Sequence, residues 1–512
     1  MEPTFRASMN WLHTWAGVVL GGVLFVIFWM GSLSVFDREI DRWMAPTTRI
    51  ALPHETASLD AMRPSIDAAV AAKSGAWSVL YPTERQPVFR EAYRGKDGFV
   101  VGILDPATGA ALPDPGTFAG TRFLYPFHYS LHLRIWDIGY WVVGLAGMAM
   151  LALCVTGVVI HRKIFAEFFT FRPEKKARRS ILDLHNLAGV LGLPFHFIIS
   201  LSGLIIFFSL YFPSVWQTAY GGETERFNRE TWGTYTRPKA NQAAPLASLD
   251  AMIAEARRQW GGDEPMYLRI RNPGDAAAVV DIWRAYQDVV ALRMDVVYFD
   301  GVTGAVLQRF EMGPVGAAQR FISGLHFIQF KHWTLRWVYF ALGLLGCVLI
   351  ATGFLFWLES RRRRHTQLGL RGVPIVQGLA VGSVTGIVVA TLAFFVVNRL
   401  LPAGATFAGA DRAALEVWTF YLVWLASFGH AWSRPRRAWI EQSWTIAVLA
   451  VAAVALNWIT TGDHLGRSIA QRALQPVAGM DLMLLLGAAL AAVTAVKLEQ
   501  RKPEPARERQ HA

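Results

Sequence analysis

Long apolar stretches alternate with polar ones along this chain in a set order. Eight runs can be read as membrane spans: 12–36, 136–160, 186–212, 335–358, 375–398, 415–432, 443–459 and 479–496. A bilayer crossing takes about 20 mostly apolar residues, and the seventh run is the shortest of the set. Two polar intervals, 37–127 and 213–334, are too long to be plain connectors. Each reads as a small α+β module. In the first, 58–73 has helical spacing, with Leu59, Met62, Ile66 and Val70 on one face, followed by strand-like runs at 77–81, 87–93 and 98–104. In the second, a helix over 247–260 precedes strands near 266–271, 277–284, 288–293 and 295–299.

Composition agrees with this pattern. Of 512 residues, 53% are hydrophobic and 17% charged, against roughly 25% charged in an ordinary soluble domain. Disorder and a disulfide-rich scaffold are excluded. The net charge of +12 sits beside spans rather than in a nucleic-acid patch. Arg162, Lys163, Arg172, Lys175, Lys176, Arg178 and Arg179 follow the second span, and Arg361 to Arg364 with Arg371 follow the fourth. Arg434, Arg436 and Arg437 follow the sixth, and Lys497, Arg501, Lys502, Arg507 and Arg509 lie in the tail. Basic residues near span ends stay in the cytoplasm. The expectation is therefore a bacterial inner-membrane protein with both termini cytoplasmic and both modules periplasmic. The first span is too long for a signal-peptide core and is expected to be retained. Cys154 and Cys347 fall inside spans and read as packing residues.

The chain also repeats itself. Residues 57–62 and 247–252 both read Ala-Ser-Leu-Asp-Ala-Met. Asp105–Ala110 (DPATGA) corresponds to Asp300–Ala305 (DGVTGA), and LHTWAGV at 12–18 to LHNLAGV at 184–190. Leu131-His132 answers Leu325-His326, and Thr156-Gly157 answers Thr352-Gly353. The order span, module, span occurs twice in the same sense, the pattern of parallel repeats.

Of thirteen histidines, two pairs keep their place in both copies: His13 with His185, and His132 with His326. A two-fold axis through a four-helix bundle would set each pair face to face, as the axial ligands of a six-coordinate haem iron are. Gly17 and Gly21 share a helix face with His13, and Gly189 and Gly192 nearly share one with His185. Small residues leave room for a flat ligand, or for tight helix packing. His196, about 16 Å deeper than His185 at 1.5 Å per residue, is the first reserve ligand; His161 and His128 are others. CxxC, HExxH, Walker A and Rossmann patterns are missing, which speaks against zinc, iron–sulfur and nucleotide chemistry. Electrons would come from an external cytoplasmic or membrane donor, a quinol or a weakly held flavin.

The doubled motif LHTWAGV…ASLDAM…DPATG…LHLRIW…TG and LHNLAGV…ASLDAM…DGVTG…LHFIQF…TG resembles the PepSY-associated transmembrane family, whose members include inner-membrane ferric-siderophore reductases. The resemblance covers about residues 1–360. It implies PepSY-like modules, two b-type haems in the first four spans on His13, His185, His132 and His326, and reduction of a periplasmic iron chelate. The expected architecture is a polytopic α-helical membrane protein. It has spans at 1–36, 128–162, 185–212 and 335–358, modules at 37–127 and 213–334, and basic cytoplasmic loops at 163–184 and 359–374. A four-span extension (375–496) and a tail (497–512) complete it. The competing reading is a non-redox membrane-anchored protein that binds or inhibits a periplasmic partner, or assists transport. Tyr125, His128, Arg122, Arg134 and Lys331 would flank the outer haem, where a basic rim attracts an anionic chelate.

Overall fold

The computed structural model describes residues 4–96, 98–161, 177–286 and 288–500. Arg162, Lys163, Arg172, Lys175 and Lys176, the tail residues Arg501, Lys502, Arg507 and Arg509, and His511 lie outside the described residues. Among those described, seven helices are long and apolar enough to cross a membrane. They are Phe5–Ser34, Ile135–Ile160, Arg178–Ile206, Trp333–Gln367, Gly372–Leu400, Ala438–Thr461 and Arg472–Glu499. The protein is a multi-pass helical membrane protein in contact with lipid. Its outer helix surfaces carry Val19, Leu422, Leu425 and Ile459, each more than three-fifths exposed.

Two spans differ from expectation. The run at 415–432 does form a helix, Arg412–Ser433, but it falls outside the seven. Polar residues (Arg412, Glu416, His430 and Ser433) interrupt its apolar character. The shortest run, 443–459, lies within the long apolar helix Ala438–Thr461, as expected. The arginine run 361–364 lies in a helix rather than a loop, because Trp333–Gln367 continues without a break through it.

The chain folds as two compact units. One comprises Met1–Met44, Gly116–His196 and Phe340–Ala512. Here the extension packs against the first repeat through Phe25, Met30, Trp43, Phe123, Phe127, Phe394, Phe395 and Phe420. Polar pins cross this apolar contact. Trp43 Nε1 donates to Asp481 Oδ1 at 2.7 Å, Trp29 Nε1 to Thr391 Oγ1 at 3.1 Å, and Thr117 Oγ1 donates to Glu416 Oε2. Each buried donor thus finds an acceptor, as a water-poor interior requires.

The other unit, Ala45–Pro115 with Phe197–Tyr339, holds both modules, and they share one sheet. Strands β1 (Ala76–Leu80), β2 (Phe89–Arg94), β3 (Phe99–Leu104), β4 (Pro265–Arg271), β5 (Val279–Arg284), β6 (Val296–Asp300) and β7 (Val306–Phe310) run in the order β3-β2-β1-β4-β5-β6-β7. β1 and β4 join the modules antiparallel, with Trp77 opposite Ile270 and Val79 opposite Leu268. Helices Arg63–Ala71 and Leu249–Gln259 share a core with these strands built on Leu59, Met62, Ile66, Trp77, Leu249, Met252, Leu268 and Ile270.

Several expectations shift here. Val70 is 37% exposed and Ala69 is buried in its place, since the helix starts at Arg63 after a tighter turn over Leu59–Met62. Residues 288–293 form no strand. Their backbone meets the helix Pro314–Phe327 instead, where Leu292 N donates to Arg320 O. β7 was not foreseen.

The repeated ASLDAM segments explain themselves through reciprocal caps. Ser248 Oγ donates to Asp60 Oδ2 at 2.6 Å and Leu249 N to Asp60 Oδ1 at 3.0 Å. In return Leu59 N donates to Asp250 Oδ1 at 2.9 Å, and Ser58 Oγ bonds Asp250 Oδ2. The two DxxTG turns also match. Asp105 Oδ1 accepts from Ala107 N and Thr108 N, Asp300 Oδ1 from Val302 N and Thr303 N. Gly109 and Gly304 have φ of 72° and 73°, a left-handed conformation that glycine adopts without a steric cost.

Burial acts to raise the Asp60 carboxyl, but Ser248, the Leu249 amide, Arg63 and the Asp250 amide together hold it below its ordinary value. Such a group stabilises the fold above its unfolded pKa, near about 3.9, and loses that contribution as pH falls through its lower folded value. Asp60→Asn should therefore weaken hydrogen-exchange protection at Leu249 near neutral pH by roughly 0.5–2 kcal/mol, the usual worth of such a cap. The difference from the native chain should vanish in acid.

Candidate functional site

His13 and His185 come together in the helical unit. Their ring centroids are 6.4 Å apart and their planes are perpendicular. Each ring is fixed through Nδ1. His13 Nδ1 lies 3.0 Å from Thr156 Oγ1, and that hydroxyl donates its own proton to Ala152 O. The hydroxyl oxygen therefore accepts, and the His13 proton sits on Nδ1. His185 Nδ1 donates to Leu349 O at 2.9 Å, with Thr352 Oγ1 at 3.3 Å. This accounts for the repeated Thr-Gly pair: the threonine oxygen lies against the ring, and the glycine leaves it space. A Cβ at Gly157 would lie 3.5 Å from His13 Cε1, and one at Gly353 would lie 3.3 Å from His185 Cε1.

Both Nε2 atoms are left without a protein partner among the described residues and belong to rings that line a common cavity of about 420 Å³. Gly17, Gly21 and Gly189 line it too, as do Leu24, Leu193 and Leu349. Gly192 does not. It makes room for His196, whose Cε1 would be 2.2 Å from a Cβ there. Two imidazoles bound to one metal at about 2.0–2.1 Å each have their ring centroids roughly 6 Å apart, so the residues present fit an iron held by both Nε2 atoms. Fixing a ligand histidine through its other ring nitrogen is also the usual outer-shell arrangement.

His161 and His196 line the same cavity. His196 is held the opposite way round. Its Nε2 donates to Leu342 O at 3.1 Å, and its buried Nδ1 has no partner among the described residues.

The second repeat-related pair needs a correction. His326 Nδ1 donates to Ile199 O at 2.8 Å, and its ring lies over Gly203, 2.9 Å from a Cβ placed there. In the first copy the equivalent positions, 172 residues earlier by the spacing of His13 to His185, are Ile27 and Gly31. The ring found on them is His128, with Nδ1 2.9 Å from Ile27 O and Cε1 2.7 Å from a Gly31 Cβ. His132 instead spends its Nε2 on Phe123 O at 2.8 Å and packs between Phe123 and Phe127. The two segments end alike, at Leu131 and Ile328 in left-handed conformation, but differ by a residue in length before the turn. Matching the Leu-His dipeptides hid this. Matching Phe127-His128-Tyr129 to Leu325-His326-Phe327 would have found it. Of the expected basic rim, Lys331 is paired with Asp288 at 2.9 Å and Arg122 stacks on Phe118.

Duplicated spans, one seven-stranded sheet shared by both copies and a histidine pair lining a helix-walled cavity mark a multi-pass membrane protein. The family model described as the PepSY-associated TM region matches residues 10–360, and the chain belongs to that family. It is 29% identical over 372 residues to the uncharacterized protein PA4219 of Pseudomonas aeruginosa, covering 68% of this chain and 88% of that one.

Histidine-selective nitrogen NMR on ligand-free protein should report His13 and His185 as Nδ1–H tautomers and His196 as Nε2–H. Thr352→Val should blur the His185 signal and leave that of His13 unchanged.

Proposed function

We propose that this chain is a di-haem b electron-transfer protein of the bacterial inner membrane. In this reading it carries electrons from a cytoplasmic or membrane donor, such as a quinol or flavin, to a ferric chelate of the siderophore type in the periplasm. The observation that carries it is the His13–His185 pair, 6.4 Å apart, with neither Nε2 bonded to protein among the described residues. Bound there, haem would supply a one-electron centre; the protein supplies placement and tuning. His13 and His185 would hold the iron, while Thr156, Leu349 and Thr352 fix the tautomers and make the ligating nitrogens more basic. Apolar walls at Leu24, Leu193 and Leu349 exclude water and thereby influence potential. For the second haem b, the first copy's counterpart of His326 is His128 rather than His132, because His128 Nδ1 meets Ile27 O as His326 Nδ1 meets Ile199 O.

The orientation proposed has both termini in the cytoplasm, from the basic residues beside the spans. The reaction class is oxidoreductase, without a nucleophile or general base from the protein.

Reduced-minus-oxidised absorbance of the purified protein should show b-type haem. His13→Ala and His185→Ala should each remove one haem and keep the other. His128→Ala should remove the second, and His132→Ala should leave both. Colourless protein from haem-replete cells would instead favour a non-redox role.

A further inference from the structure

The cavity around His13 and His185 has a polar end whose composition says how a ligand must be oriented. Three guanidinium groups line it: Arg6, Arg179 and Arg361. Helix geometry puts them on one side of the histidines. Arg6 precedes His13 by seven residues and Arg179 precedes His185 by six, roughly 10 and 9 Å along their axes. Arg361 lies two turns beyond Gly353, which packs on His185. The opposite end is closed by Leu24, Leu193 and His196.

A second observation is independent of charge. Trp357 lines the same end, is 5% exposed, and its Nε1 is buried without a partner among the described residues. A buried N–H lacking an acceptor is costly, and this one belongs to the cavity wall. Arg361 stacks over the Trp357 ring at 4.7 Å, which leaves the edge of its guanidinium free to donate. Arg6 spends two donors on Ile160 O, at 3.2 and 2.8 Å, and Arg179 Nε faces Asp183 Oδ1 at 3.0 Å. Among the described residues, one carboxylate, Asp183, thus meets three cations, and their surplus is positive.

Resting on the haem reading above, we propose that Trp357 and Arg361, with Arg6 and Arg179, form a carboxylate subsite. It binds the two acidic side chains of the iron porphyrin and points them toward the arginine end of the cavity. Charge-assisted bonds from arginine to carboxylate are about twice as strong as neutral ones, and here they act in a partly dry site. Trp357 adds a single N–H donor, so it positions the ligand without contacting iron.

The test compares two ligands on full-length protein purified from haem-deficient cells: ferric protoporphyrin IX and its dimethyl ester, which keeps the iron and loses both charges. The free acid should bind at least about tenfold tighter. Trp357→Phe and Arg361→Gln should each weaken the free acid severalfold and leave ester binding unchanged, with the two-histidine absorbance spectrum retained. Equal affinity of acid and ester would overturn the subsite while leaving the haem site standing. If neither porphyrin gives a two-histidine spectrum, the haem reading fails and takes the subsite with it.

Discussion

An imidazole inside a membrane protein must place its ring proton somewhere, and that need organises this molecule. A buried N–H without an acceptor costs free energy, while helix carbonyls in apolar surroundings are already engaged along the helix. The chain answers with carbonyl oxygens that accept a second bond and with threonines that turn their hydroxyls back onto their own helix. Leu349, Ile27 and Ile199 offer carbonyls, and Thr156 offers its oxygen. Each fixes Nδ1, and at His13 and His185 the Nε2 atoms have no protein partner among the described residues. Glycines at 31, 157, 203 and 353 let the rings come close enough for this to happen.

Duplication supplies the second constraint. Each module alone has a sheet with an open central edge, and β1 against β4 closes both at once. The Asp60 and Asp250 carboxylates then each cap the other module's helix start. A six-residue sequence identity is thereby explained by one reciprocal contact rather than by two separate local needs. The helices beyond residue 372 take a different part: they pack on the first repeat through phenylalanines and a few buried hydrogen bonds.

Much of this was legible in the sequence because hydrophobic run length, basic flanks and internal repetition are all local signals. Seven of the eight helical runs and the proximity of His13 to His185 followed from them. What escaped reading depended on tertiary context. Val70 is the more apolar of the two neighbours, yet the tight turn over Leu59–Met62 sets the helix phase so that Ala69 faces the core. Residues 288–293 have strand-like character, yet a helix claims their backbone. His132 matched its repeat by dipeptide, but an extra residue before the left-handed Leu131 moves the matching ring to His128. Gly192 shares a face with His185 in projection and serves His196 in three dimensions.

The β1–β4 seam has a further consequence for how such a chain could arise. An antiparallel edge that joins two copies of one motif is self-complementary, the property of an isologous two-fold interface. A half-length ancestor bearing one module would meet its own twin along that strand. The present polypeptide thus carries within itself a contact surface of the homodimer kind, with covalent linkage keeping the two halves together.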